Sequence, residues 1–298
     1  MPKVIPAMGF GTFTVMDPNT IINALRIGYR HLDLAVNYEN LGHVAKALRY
    51  AFDSVESGGL GLKREDLWIT MKTLDCSPQY IDHLLEVLRI TYFDLLLIHF
   101  PQRFFRDEET LTQAWSELSN QVPGKLKHIG VSNCYEGHLS RLLAVCDKGH
   151  FEKPYANEIE SSLFARTPNI VDMCKTHDIK VIAYSPLGFL NARFLLDQEP
   201  LTTLSKHLRI SPSQIMLAFL LLQNIAVIPK SSSLEHLQEN FDSLRLVTEL
   251  SEDQQLSIRK LEEKIENLGH LLEDAERAEK HGASLSWEVL ASNLGMSL

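Results

Sequence analysis

Four side chains that stand in or just beyond the first apolar runs of the sequence, Asp33, Tyr38, Lys72 and His99, are of types that together could reduce a carbonyl group. Hydride delivered to a carbonyl carbon leaves an alkoxide that needs a proton. Tyr38 is the candidate donor. Its ordinary pKa of about 10 is too high for facile donation near neutrality, and a nearby Lys72 ammonium would lower it by stabilising the phenolate. A carboxylate from Asp33 would fix the lysine, and His99 would hydrogen-bond the carbonyl oxygen and orient it. Taken singly, His99 could merely end a buried strand and Asp33 could cap a turn. The four together match one mechanism.

Residues so far apart in sequence need a scaffold that brings strand ends together. Short apolar runs rich in β-branched and aromatic residues occur at 29–35, 67–71, 93–98, 127–132, 156–160, 180–184 and 225–229, with a weaker eighth at 241–246. Helical patterns lie between them at 21–27, 44–52, 81–90, 111–118, 139–145, 170–177 and 212–222, the last opened by Ser211 as N-cap and Pro212 at the first helical position. Parallel strands buried on both faces read as such continuous apolar runs. The rhythm therefore predicts an α/β fold, a (β/α)8 TIM barrel whose C-terminal strand ends converge on one mouth. An open doubly wound sheet is the rival. The polar residues at the later run ends, Ser132 and Asn133, Glu158, Tyr184 and Ser185, and Lys230 and Ser231, should line the same mouth.

A length of 298 residues suits one barrel domain spanning 1–298, and 45% hydrophobic residues supply a large core. The formal charge of −9 disfavours nucleic acid and acidic membrane surfaces as partners. No stretch approaches the ~20 apolar residues needed to span a bilayer, and the N-terminus lacks the charged start and apolar run of a signal peptide. Cys76, Cys134, Cys146 and Cys174 are widely spaced, without metal-ligand pairs or a dense disulfide framework, so a reducing, cytoplasmic setting is expected and no metal is assigned. From Ser251 to about Lys280 the chain is charged and helix-favouring, with Leu261, Ile265, Leu268, Leu272 and Ala275 at helical spacing. A C-terminal helical extension, 251–298, packed on or beside the barrel is expected.

The segments HLDLAVNYEN, WITMKT, FDLLLIHFP, KHIGVSN, IAYSPLG and VIPKSSSLEHLQEN occur in the order of the aldo-keto reductase family, which the chain resembles from about residue 8 to 250. The resemblance implies that Tyr38 donates the proton, Lys72 and Asp33 tune it, and His99 orients a small-molecule carbonyl substrate. It implies NADPH lying across the mouth without a Rossmann unit. GFGTF at 9–13 would precede the first barrel strand and bring Thr12 and Phe13 near the cofactor, and SGGLGLK at 57–63 is a loop without Walker A spacing. Ser132, Asn133 and the residue at 158 would meet the nicotinamide carboxamide, and Tyr184 would stack on its ring. Ser185 and Leu187 would line the pyrophosphate path, and Lys230, Ser231, His236, Glu239 and Asn240 the adenosine end. Phe13, Leu74, His99 and Phe100 would surround the substrate, with Trp287 and Met296 reaching toward the mouth from the tail.

Two positions depart from the family pattern. Glu158 replaces the usual glutamine, and can accept from the carboxamide NH2 but not donate, which would alter the preference between oxidised and reduced cofactor. His236 replaces an arginine that grips the 2′-phosphate. It lacks the guanidinium fork, so NADH becomes an alternative cofactor. Glu39 stands where the family has glycine, and Ser162 where histidine is common. The reading is an NAD(P)H-dependent reductase of aldehydes or ketones. A second reading is a regulatory or protein-binding module that keeps the barrel and engages a protein partner through its tail. A metal-dependent hydrolase fits poorly, because the strand ends offer no His and carboxylate ligand set.

Overall fold

The structure, a computed structural model, describes residues 4–189 and 192–265. Its strands form one parallel sheet in sequence order: β1 (Phe10–Gly11), β2 (His31–Ala35), β3 (Trp68–Thr73), β4 (Phe93–Ile98), β5 (Leu126–Ser132), β6 (Ala156–Glu160), β7 (Lys180–Tyr184) and β8 (Ala226–Val227). The sheet closes on itself. Met8 bridges Val227, Gly9 N–H donates to the Val227 carbonyl (2.8 Å) and Gly11 N–H to that of Pro229 (3.2 Å). This is the expected barrel, with two corrections. The strand that completes the eight is β1, Phe10–Gly11, so GFGTF contains the first barrel strand instead of preceding it. Residues 241–246 belong to a helix, because Phe241, Leu244 and Val247 recur at helical spacing behind a Ser233 cap.

Alternation along each strand splits the apolar side chains into two cores. Leu95 and Leu97 point inward and join Trp68, Ala156, Ile182, Ala226 and Ile228 inside the barrel, whereas Leu96 and Ile98 face the helices. Space inside is tight. A Cβ on Gly130 would collide with the Ala156 carbonyl oxygen and the Leu97 side chain, so β5 must carry glycine there. At the N-terminal end of the barrel the His128 and Tyr155 rings stack at 4.0 Å beside Trp68, with Ile5 packed against them.

The helices of the outer layer are α1 (Pro18–Ile27), α2 (Leu41–Phe52), α3 (Pro78–Leu88), α4 (Glu108–Ser119), α5 (Glu136–Gly149) and α6 (Pro168–Thr176). They continue with α7 (Ala192–Leu196), α8 (Leu201–Leu208), α9 (Pro212–Leu221), α10 (Leu234–Glu249) and α11 (Glu252–Arg259). Their starts follow local chemistry. Asp17, Asp107, Ser211, Ser233 and Ser251 each accept a backbone N–H of the first turn, and Pro occupies the first turn of α1, α3, α6 and α9. The sequence reading missed α7, α8 and α10. α9 is apolar on all sides and is covered by β8, α8, α10 and α11.

The expected tail helix runs as an α-helix only to Arg259 and then tightens to a 3-10 turn over Lys260–Glu263. Ile258, Leu261 and Ile265 are buried, and Arg166 donates to the Ile265 carbonyl at 2.9 Å, tying the segment to the loop after β6. Leu268, Leu272, Ala275, Trp287 and Met296 lie outside the described residues. Among the described residues no helix is long and apolar enough to cross a membrane.

Candidate active site

Strand register sets the centre of the mouth. Asp33 pairs with Thr70 and Ala35 with Lys72, so Asp33 on β2 and Lys72 on β3 project inward at successive levels. Lys72 Nζ lies 2.5 Å from both Asp33 carboxylate oxygens. It also reaches across the barrel to Glu158 on β6, 2.6 Å from Oε1. An ammonium has three N–H donors, matched here by the two Asp33 oxygens and Glu158 Oε1, with the Tyr38 ring beside the cluster. Lys72, Asp33 and Glu158 are all essentially sealed from solvent. Glu158 was expected at the cofactor carboxamide. It is part of this buried charge cluster, and its second oxygen, Oε2, is buried without a donor.

Tyr38 ends the 3-10 turn Val36–Tyr38 that follows β2. Its ring centre is 5.3 Å from Lys72 Nζ and 6.1 Å from the His99 ring, edge-on at 81°. His99 follows β4, held by its N–H to the Thr73 carbonyl (2.9 Å) and by Phe100 stacked at 4.2 Å, and its Nδ1 is buried without a partner. Phe13 lies 5.0 Å from the Tyr38 ring and 5.9 Å from that of Phe189, a residue the sequence reading did not assign. Leu74, two residues after Lys72, and Phe100, next to His99, are half-buried.

Burial and charge set the protonation states. Two carboxyls share one ammonium. Burial pushes Asp33 and Glu158 up, opposed by Lys72; Glu158, which also feels the charge of Asp33, is pushed up to about 8. Lys72 is held well above its ordinary value because the neighbouring carboxylates outweigh its own burial. His99 is pushed down to about 3 by burial and by Lys72, so the imidazole is neutral near neutrality. The Tyr38 hydroxyl is raised, against the expectation of a lowered value. Burial is the main cause, Asp33 and Glu158 add to it, and Lys72 only opposes them.

Ser132, Asn133 and Tyr184 form a brace along the mouth. Tyr184 O–H donates to Asn133 Oδ1 (2.9 Å), Asn133 Nδ2 donates to the His99 carbonyl (3.0 Å) and Ser132 Oγ (3.2 Å), and Ser132 Oγ donates to the Glu158 carbonyl (2.9 Å). The donors of Ser132 and Asn133, expected at a carboxamide, are thus taken within the protein. Thr12 is fully buried and donates its hydroxyl to the Asp33 carbonyl (2.7 Å), so it supports Asp33. Asn40, which the sequence reading did not assign, donates to the carbonyls of Thr12 and Val15 and pins that loop; its only sequence signal was a polar residue at a helix start.

On the β8 side, Lys230 and His236 are exposed, Ser185, Leu187, Ser231 and Glu239 are half-buried, and Asn240 is buried. Ser231 Oγ accepts from Ser233 N–H (3.1 Å), and Ser233 Oγ from His236 N–H (3.4 Å), which leaves the first turn of α10 beside Lys230. The half-buried Tyr184 ring, the donor-less Glu158 Oε2 and this helix start next to a cation fit, in that order, a nicotinamide ring, its amide and a phosphate.

A family model described as the Aldo/keto reductase family matches residues 8–263. The chain is 32% identical over 273 residues to an aldose reductase of Encephalitozoon cuniculi, covering 83% of this chain and 88% of that one. It is 29% identical to the glycerol 2-dehydrogenase (NADP(+)) of Saccharomyces cerevisiae over 82% of this chain and 85% of the relative. The solved structure of an aldose reductase from Schistosoma japonicum superimposes with a TM-score of 0.74 at 28% identity, covering 89% and 90% of the two chains.

Proposed function

The chain belongs to the aldo/keto reductase family and is a nicotinamide-dependent carbonyl oxidoreductase, and we propose that it works through Tyr38 as proton donor, positioned by Lys72, Asp33 and His99. The single observation that carries this assignment is the contact of Lys72 Nζ with both oxygens of Asp33 at 2.5 Å, with the Tyr38 ring 5.3 Å from Nζ and the His99 ring edge-on to Tyr38. The bound cofactor supplies the hydride, and the chain supplies the proton and the setting.

Neutral His99 donates one N–H to the carbonyl oxygen and does not compete with Tyr38 as an acid. The buried Tyr38 hydroxyl resists ionisation until negative charge develops on the oxygen in front of it. Lys72 then stabilises the phenolate. Phe13, Leu74 and Phe100 exclude water from the reacting carbon and accept an aldehyde or ketone with an apolar body.

The cofactor is NADPH in this reading. Tyr184 stacks on the nicotinamide, Glu158 Oε2 meets its amide, and Ser185 and Leu187 follow the pyrophosphate. Lys230, Ser231 and the start of α10 hold the 2′-phosphate, where the exposed His236 lacks the guanidinium fork of an arginine. Replacing Tyr38→Phe should lower kcat for a reactive aromatic aldehyde at least 100-fold, the loss expected for a removed general acid, while NADPH quenching of tryptophan fluorescence is retained. Unchanged turnover would refute the assignment.

A further inference from the structure

The contact between Lys72 and Glu158 spans the barrel from β3 to β6 and puts a second carboxyl, beside Asp33, on one ammonium. Neither proton donation by Tyr38 nor the anchoring of Lys72 by Asp33 requires it. We propose that Glu158 is the proton store of this centre and the residue that decides which oxidation state of the nicotinamide cofactor the chain prefers. The inference rests on the cofactor placement proposed above.

The proton count supports it. Reduction moves a hydride to the carbonyl carbon and a proton from the Tyr38 O–H to the oxygen. Tyr38 recovers its proton from the Lys72 ammonium, whose Nζ lies 5.3 Å from the Tyr38 ring centre, and Lys72 recovers its own from the Glu158 carboxyl 2.6 Å away. Loss of hydride leaves the ring one positive charge richer, and loss of the proton leaves Glu158 one negative charge richer. The total charge of the sealed site is conserved, which avoids the large cost of creating an unpaired charge in a dry interior. Protonated Glu158 places its O–H at Oε2, the oxygen that lacks a donor.

The surroundings single out Glu158 as the group that changes state. Asp33 from β2, Lys72 from β3 and Tyr38 from the turn after β2 face it, His99 stands beyond Lys72, and Glu160 follows on its own strand. The residues paired with it on β5 and β7, Ser132 and Ile182, carry no titratable group. Burial raises both carboxyls, but Asp33 has both oxygens on Lys72 at 2.5 Å whereas Glu158 keeps Oε2 without a partner, so Glu158 is the one placed to carry the proton. Below its transition the neutral carboxyl suits the uncharged reduced ring, and above it the carboxylate favours the cationic oxidised ring.

The test is titration of the full chain with NADP+ and with NADPH from pH 6 to 10, following tryptophan quenching, on the wild type and on Glu158→Gln. The 2′-phosphate is common to both ligands and cancels in the ratio of their dissociation constants. In the wild type the ratio Kd(NADP+)/Kd(NADPH) should fall by up to about tenfold per pH unit through the Glu158 transition, the slope of one linked proton. Glu158→Gln should flatten it and hold the preference on the side of NADPH. A flat wild-type ratio, or the same slope in the variant, overturns the role of Glu158 while leaving the cofactor reading intact. Absence of binding by either cofactor overturns the cofactor reading and this inference with it.

Discussion

The side chain of His236 sits exposed in the first turn of α10, three residues after the Ser233 cap. If Lys230 and Ser231 meet a 2′-phosphate, an arginine at 236 adds a planar fork of donors at the positive end of the helix. His236→Arg should tighten NADPH about tenfold, roughly 1.4 kcal/mol, with NADH unchanged within a factor of two. Two separate fluorescence titrations measure this, and an unchanged ratio would mean that residue 236 does not face the phosphate. Single residues were unevenly legible. Asp33, Tyr38, Lys72 and His99 stood out because polar types interrupt or follow apolar runs. Glu158 was legible as a strand-end carboxylate, but its bond to Lys72 was not, since 86 residues and the curvature of a closed sheet separate them. One lysine facing two carboxylates at the strand ends was the signal available. The raised pKa of Tyr38 was also hidden, because burial depends on packing that no local pattern records.

Among the elements, the 3-10 turn that carries Tyr38 has a cost built into it. Its last N–H bond is made by Glu39, whose φ of 55° is left-handed, a region where a side chain costs about 1 kcal/mol relative to glycine. Glu39→Gly should raise the stability by about that amount, and Tm by roughly 2 °C. A calorimetric scan showing a lower Tm would mean that the Glu39 side chain contributes more than its backbone costs. Strand β4 was read to the residue because a parallel strand buried on both faces is a continuous apolar run. β1 escaped because two residues, Phe10 and Gly11, carry no period, and their place in the sheet comes from pairing with β2 and β8. Residues 241–246 misled for the opposite reason. A short apolar run without its flanks cannot be told from a strand, and only the Ser233 cap and the recurrence of Phe241, Leu244 and Val247 give the helix away.

For the molecule as a whole, stability depends on covering α9, which has no polar face to leave in water. Ile258 on α11 is fully buried in that cover. Ile258→Ala should cost about 2–4 kcal/mol in denaturant unfolding, the range for a truncated core side chain, and an effect below 0.5 kcal/mol would show that α11 lies loosely on the barrel. The closure of the barrel itself has a bearing on how the chain is made. Its seam joins Met8 to Val227, so on a ribosome the edge of β1 waits, unpaired on one side, until β8, the last strand, has been synthesised. Such an open edge is a template for pairing with a neighbouring chain, and its ring closure is the most non-local event in the fold. The seam is therefore the point at which slow translation or crowded nascent chains would divert this protein toward aggregation, and where a chaperone that shields an unpaired strand would act to greatest effect.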